Sequence, residues 1–226
     1  MPLPSLARIV AALRRQHGAV RPPPPRSAFE WVLWENCSYL ANDEKRAQAF
    51  ALLRRTVGLT PKAIHRAPMA KLLAVTRHGI VAALFARKLQ LSAEIALGEF
   101  DGDVDRALSN DPAKAMRQLR RFPGVGAPSA ERMLVASARL RALPMDSNAL
   151  RVLQRIGFGK SLKSYSAMYR SVQAAVPIGR MPAKSLFRAA LQLRRHGQTI
   201  CRASSPLCGG CKLRAMCVFG SGAIPR

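Results

Sequence analysis

Apolar residues in this chain recur at the three- and four-residue spacing of a helix from one end to the other. No run alternates with the period of two that a half-buried strand needs. The pattern predicts an all-α protein, with helices over about 4–16, 28–41, 43–57, 61–66, 69–75, 79–97, 103–108, 112–121, 127–140, 147–156, 161–176 and 182–195. The breaks between them carry Pro, Gly, Asn or Asp, as helix ends should.

The chain has 226 residues, enough for one or two small domains, and 49% of them are hydrophobic, enough for a real interior. Lys and Arg number 37 against 12 Asp and Glu, a formal net charge of +25. That field favours a polyanionic partner, nucleic acid first. A membrane surface fits less well, because no apolar run approaches the roughly 18 residues of a span. A generally sticky basic protein would also carry such charge, but those chains are poor in core residues. Residues 1–26 are Arg-bearing and lack acids, as a transit peptide would. They also read as an amphipathic helix with Leu6, Ile9, Val10 and Leu13 on one face, ended by the stiff tract Pro22–Pro25.

Three segments depart from plain amphipathic helix. The first is Phe122-Pro123-Gly124-Val125-Gly126, between two amphipathic helices in 116–134. Two glycines around one apolar residue make positive φ available, and Val125 can anchor the turn in the core. The amides of the turn and of the next helix's first turn then point outward together, which makes an anion site; in a basic protein that anion is a DNA phosphate. An ordinary helix–turn–helix connection is the plainer alternative. The second segment is the polar helix start Asp146-Ser147-Asn148. The third is the tail, where Cys201, Cys208, Cys211 and Cys217 follow C-x6-C-x2-C-x5-C. Four thiolates in 17 residues suit one metal centre, zinc or an iron–sulfur cluster; disulfides are the weaker reading without a secretory signal. Cys37 stands alone in a helical pattern and reads as a core cysteine.

Residues 116–134 resemble the helix-hairpin-helix of the endonuclease III (HhH-GPD) superfamily of DNA glycosylases. Met145–Val152 is similar to the block around that family's catalytic aspartate, and Asp146 stands 20 residues beyond Gly126, as it should. Phe29-Glu30 through Ser38 and Asp43 match the first barrel helices without a gap, and His196-Gly197 before Cys201 matches the lead-in to the family's cluster. The resemblance runs from about residue 28 to 219 and implies a two-lobed helical fold. A barrel over 28–143 carries the hairpin. Residues 1–27 with 144–226 make a second lobe, with a [4Fe-4S] cluster on Cys201, Cys208, Cys211 and Cys217 in the loop 201–217. The resemblance further implies that double-stranded DNA with a damaged or mismatched base would lie in the groove between the lobes, with Asp146 at its mouth, and that the protein would act as a monomer. A bacterial-type cytoplasm and nucleoid is the implied location, with organellar targeting left open.

The resemblance also assigns chemistry. Bifunctional members use a lysine just after the hairpin as an amine nucleophile toward the sugar; here that position is Pro128. The amine is missing, so base release by water is expected. Asp146 is the retained catalytic carboxylate, which would steady positive charge at C1′ and orient the water. It could equally cap its helix. Glu35 matches the acid of the adenine mismatch glycosylases; burial would raise its pKa and let it protonate a leaving base, unless it sits on an exposed face. Asn148 fits the monofunctional relatives. Gly124, Val125, Gly126 and Ser129 are the hairpin's DNA-binding residues. Leu40 with Tyr39, and Ile80 after Gly79, match the wedges that fill the gap left by a flipped nucleotide, or else they are core residues. The leading expectation is a monofunctional DNA glycosylase. The alternatives are a bifunctional glycosylase/lyase with some other amine, and a non-catalytic DNA-damage-binding module. Alkylated purines, deaminated bases, mismatched thymine and oxidised pyrimidines all remain open as targets.

Overall fold

The computed structural model describes residues 2–37 and 43–222. Within them the chain is all-helical, with twelve α-helices: α1 (Leu6–His17), α2 (Ala28–Cys37), α3 (Asp43–Thr56), α4 (Pro61–Arg66), α5 (Met69–Thr76), α6 (Ala82–Glu99), α7 (Val104–Ala107), α8 (Pro112–Leu119), α9 (Ala127–Ala136), α10 (Ser147–Ile156), α11 (Tyr165–Ala175) and α12 (Ala183–Thr199). Each answers one expected from periodicity. The differences lie at the ends, where single residues decide. α6 starts late because Val81 takes a left-handed backbone, φ 56°, and α9 stops early because Ala138 does the same at φ 60°. The cysteine tail holds two short 3-10 turns, 208–210 and 214–216. None of the described helices is long and apolar enough to cross a membrane.

The chain divides into two compact units. One is continuous, Pro23–Leu140; the other joins the N-terminal segment up to Pro22 with the chain from Arg141 onward. The first crossing thus falls inside the proline tract, where a chain that cannot continue a helix passes from one core to the next.

In the continuous unit α2 is apolar on nearly every side, and such a helix must be buried all round. Phe29, Trp31, Val32, Leu33, Trp34 and Cys37 are all buried, and α3, α5, α6, α7 and α9 pack against the helix. Trp34 meets Phe50 of α3 edge to face at 5.6 Å. The α8–α9 pair is tied to this core by Leu119, Phe122 and Val125, with Phe122 stacked on Phe100 at 5.2 Å.

In the discontinuous unit α12 packs against both α1 and α10. The face of α1 read from the sequence is the one that is buried: Leu6, Ile9 and Leu13 are fully covered and Val10 partly. α10 turns Leu150, Leu153 and Ile156 into the same core, which α11 closes with Tyr169 and Val172. The Tyr169 hydroxyl accepts the Met145 amide at 3.1 Å, fixing the chain one residue before Asp146.

Candidate active site

The hairpin turn is built on close approach. Gly124 has φ +80°, and a Cβ there would sit 2.5 Å from Oδ1 of Asn36. Asn36 is fully buried in α2; its Nδ2 donates to Val32 O at 3.0 Å and to Pro123 O at 2.9 Å, tying the turn to the core helix. Val125 is buried under the turn, and its amide closes it onto Phe122 O at 3.2 Å. Gly124, Gly126 and Ala127 are exposed, and among the described residues no acceptor takes their amides. These donors face water at the start of α9, where the helix dipole adds to their attraction for an anion. Pro128 lies in the first turn, where its missing N–H costs the helix nothing. Gly124→Ala should therefore lower stability by about 3 kcal/mol, from left-handed strain plus overpacking. A urea unfolding midpoint equal to wild type would contradict this account of the turn.

Glu35 is not on an exposed face. Its side chain is 10% exposed, and it forms an ion pair with Arg132 Nη2 at 2.5 Å through Oε1. Ser129 Oγ donates to Oε2 at 3.0 Å, and the same Arg132 nitrogen lies 3.3 Å from Ser129 Oγ. Burial alone would push the Glu35 carboxyl up, as expected from the sequence. The guanidiniums of Arg132 and Arg46, with the bonds from Arg132 and Ser129, outweigh it and hold the carboxyl below its ordinary value. The raised pKa expected from burial is corrected: the surrounding guanidiniums favour the charged carboxylate.

Asp146 caps α10, its Oδ1 accepting the Ala149 amide at 2.8 Å. Its Oδ2 pairs with the guanidinium of Arg194 on α12 and accepts from Asn148 Nδ2 at 3.3 Å. Asn148 Oδ1 in turn accepts from Arg151 Nη2 at 2.9 Å, so its side chain bridges Asp146 to Arg151. Arg151 also donates to Gly197 O at 2.8 Å and Cys201 O at 3.0 Å. The His-Gly lead-in acquires a physical reason: a Cβ on Gly197 would lie 2.7 Å from Asn148 O, so only glycine lets α12 pass so close to the helix that Asp146 caps.

Cys201, Cys208, Cys211 and Cys217 border one small pocket that opens to solvent, with Val152, Ile156 and His196 in its wall. None of the four is paired in a disulfide. Burial raises the Cys211 and Cys217 thiols, and neighbouring cysteines add to the rise. Arg155 donates to Cys201 Sγ at 3.4 Å and to the carbonyls of Arg202 at 2.6 Å and Ala203 at 3.0 Å. His196 lies 3.0 Å from His17 and 3.5 Å from Cys211 Sγ; burial and His17 bring its pKa down to about 4. Among the described residues no three His, Cys, Asp or Glu side chains converge tightly enough to hold a single metal ion. Arg202, Lys212 and Arg214 are exposed on the same segment.

Ile80 is 58% exposed, with Val81 and Leu84 exposed beside it, and so is no core residue. Tyr39 and Leu40 lie outside the described residues. Cys37 is buried and its thiol is pushed up by that burial, as a core cysteine's should be. Sequence reasoning missed Asn36, Arg132, Arg151, Arg155 and Arg194. Only Arg132 left a local trace, three residues after Ser129 and so on the same helix face.

No protein-family model matches the chain. It is 27% identical over 195 residues to Endonuclease III of Sulfolobus acidocaldarius, covering 86% of this chain and 83% of that protein. It is 28% identical over 172 residues to Thymine-DNA glycosylase of Aeropyrum pernix, 74% of this chain and 75% of that one. Its fold matches a solved non-covalent endonuclease III–DNA complex with a TM-score of 0.74 at 19% identity, over 99% of this chain and 100% of that one.

Proposed function

We propose that this chain is a base-excision DNA glycosylase of the helix-hairpin-helix kind, similar to endonuclease III, that releases a damaged or mismatched base with water as the nucleophile. The observation that carries the reading is Pro128, a residue without an amine, in the first turn of α9 where the bifunctional relatives keep their lysine. The free amides of Gly124, Gly126 and Ala127 hold a DNA phosphate, and the net charge of +25 supplies the long-range attraction. Asp146 stabilises the oxocarbenium that develops at C1′ and orients the attacking water, which leaves its oxygen on C1′. Arg194, the Ala149 amide and Asn148 fix the carboxylate for that task. Ile80, exposed at its loop tip, fills the space of the extruded nucleotide.

Cys201, Cys208, Cys211 and Cys217 are the residues that would hold a [4Fe-4S] cluster. The four cysteines border one pocket, and four cysteine thiolates are the donor set such a centre takes. The group would supply structural cross-linking of the tail, and the exposed Arg202, Lys212 and Arg214 would then be held toward the DNA backbone.

The test is a panel of lesion-bearing duplexes, scored for base release by alkali cleavage and for covalent capture by borohydride. Strand cleavage is expected only after alkali, with no trapped complex. A borohydride-trapped species at the level of product formed would replace this reading with the bifunctional one.

A further inference from the structure

We propose that the N-terminal helix α1 completes the cluster site, through a hydrogen-bond chain that runs from His17 by way of His196 to the sulfur of Cys211 and makes His17 a positioning residue for that ligand. The inference rests on the cluster reading above. His17 Nε2 lies 3.0 Å from His196 Nδ1, across 179 residues of chain. The two rings meet edge to face, with centroids 5.3 Å apart. His196 is fully buried, and its other nitrogen, Nε2, lies 3.5 Å from Cys211 Sγ. Beside it Gln16 Oε1 accepts the Lys212 amide at 2.8 Å, and Gln192 Nε2 of α12 donates to Gly18 O at 2.8 Å. Three consecutive residues at the end of α1 thus each bond outside their own helix, and two of them lead to Cys211 and Lys212 of the tail.

The direction of the chain follows from the sulfur. Cys211 as a ligand is a thiolate and has only lone pairs to offer, so His196 donates to it through Nε2. A buried imidazole with one proton then presents Nδ1 as an acceptor, and His17 fills it with its own Nε2–H. His17 thereby fixes the tautomer of His196, the task that outer partners perform around metal ligands. The Leu213 amide, 3.4 Å from the same sulfur, is a second donor to it. Donation to the sulfur draws off negative charge and so favours the more reduced state of a cluster. Without His17 nothing holds the ring proton on Nε2. Once that proton moves to Nδ1, a lone pair faces the sulfur and the donation is lost.

Iron and sulfide content, the midpoint potential by voltammetry, and the rate of iron release to a chelator should be measured on the purified protein. Wild type should be compared with His17→Phe, His17→Gln and Gln16→Leu, with thermal melting recorded for each. His17→Phe keeps a ring against His196 and removes the donor. Its midpoint potential should fall, and iron release should be about tenfold faster, the lower end of what an outer hydrogen-bond partner contributes to a metal site. His17→Gln restores an N–H donor and should return both values toward wild type. Gln16→Leu frees the loop backbone but touches no sulfur, so release should quicken at an unchanged potential. A wild-type potential in His17→Phe would overturn the chain. So would an equal fall in Gln16→Leu, which would trace the effect to a loosened loop. Should His17→Phe not fold, His17→Ala takes its place with the same expected fall. Wild-type protein without iron and sulfide would sink the cluster reading and this inference together, whereas iron-bearing protein indifferent to His17→Phe would sink the inference alone.

Discussion

Asp146→Asn should lower single-turnover base release by at least a hundredfold, the scale seen when one electrostatic partner of a transition state is removed. The folded protein should be little changed. Asparagine caps a helix as well as aspartate does, so the Ala149 amide keeps its acceptor. The ion pair with Arg194 is partly exposed on both sides and contributes modestly. The variant therefore separates catalysis from folding. A melting temperature within a few degrees of wild type, with that hundredfold loss of rate and retained duplex binding, is the expected result. Undiminished release from the best substrate would remove Asp146 from the chemistry and favour a damage-binding module.

The second large effect concerns the tail. Of residues 201–222 only Leu213 is buried, so the segment has almost no hydrophobic anchor of its own. It is held by Arg155 and by the Arg151 bonds to Gly197 and Cys201, and a cluster on the four sulfurs would add the cross-link it lacks. Binding free energy of a centre that forms only in the folded state is folding free energy. Cys208→Ser should accordingly abolish iron and inorganic sulfide in the purified protein. It should lower the melting transition by roughly 10 °C, the size expected for losing a few kcal/mol in a chain of this length. Cys37→Ser would share the change of residue type but should keep the iron, since Cys37 is buried in the other unit. Wild-type protein carrying one zinc per chain and no sulfide would overturn the cluster assignment.

Much of the fold was legible because helix periodicity and helix punctuation are local. Leu6, Ile9 and Leu13 announce the buried face of α1 through spacing alone. Pro112 after Asp111 and Ser147 after Asp146 announce where α8 and α10 begin, through the same capping chemistry the structure uses. The left-handed turns at Val81 and Ala138 escaped this reading because neither residue is one that favours positive φ.

The candidate site was legible in part. Gly124, Val125 and Gly126 signal a tight turn by composition, and the four cysteines signal a metal centre by spacing. Asn36, which holds the turn, sits 87 residues from the carbonyl it binds and carries no local mark. Glu35 shows the limit most plainly. Its apolar neighbours in sequence predicted burial, and it is buried. Its protonation behaviour was set by Arg132, 97 residues away, and by Arg46 on another helix.

By itself, then, the order of residues determined where helices run, which of their faces are apolar, and which residue types are available for chemistry, because those depend on neighbours within a few positions. Tertiary structure alone decided which charges meet. Coulomb and hydrogen-bond energies depend on distance in space, and at Glu35 they reversed the effect of burial; at Asp146 they set a carboxylate between a helix amide and an arginine 48 residues further along the chain.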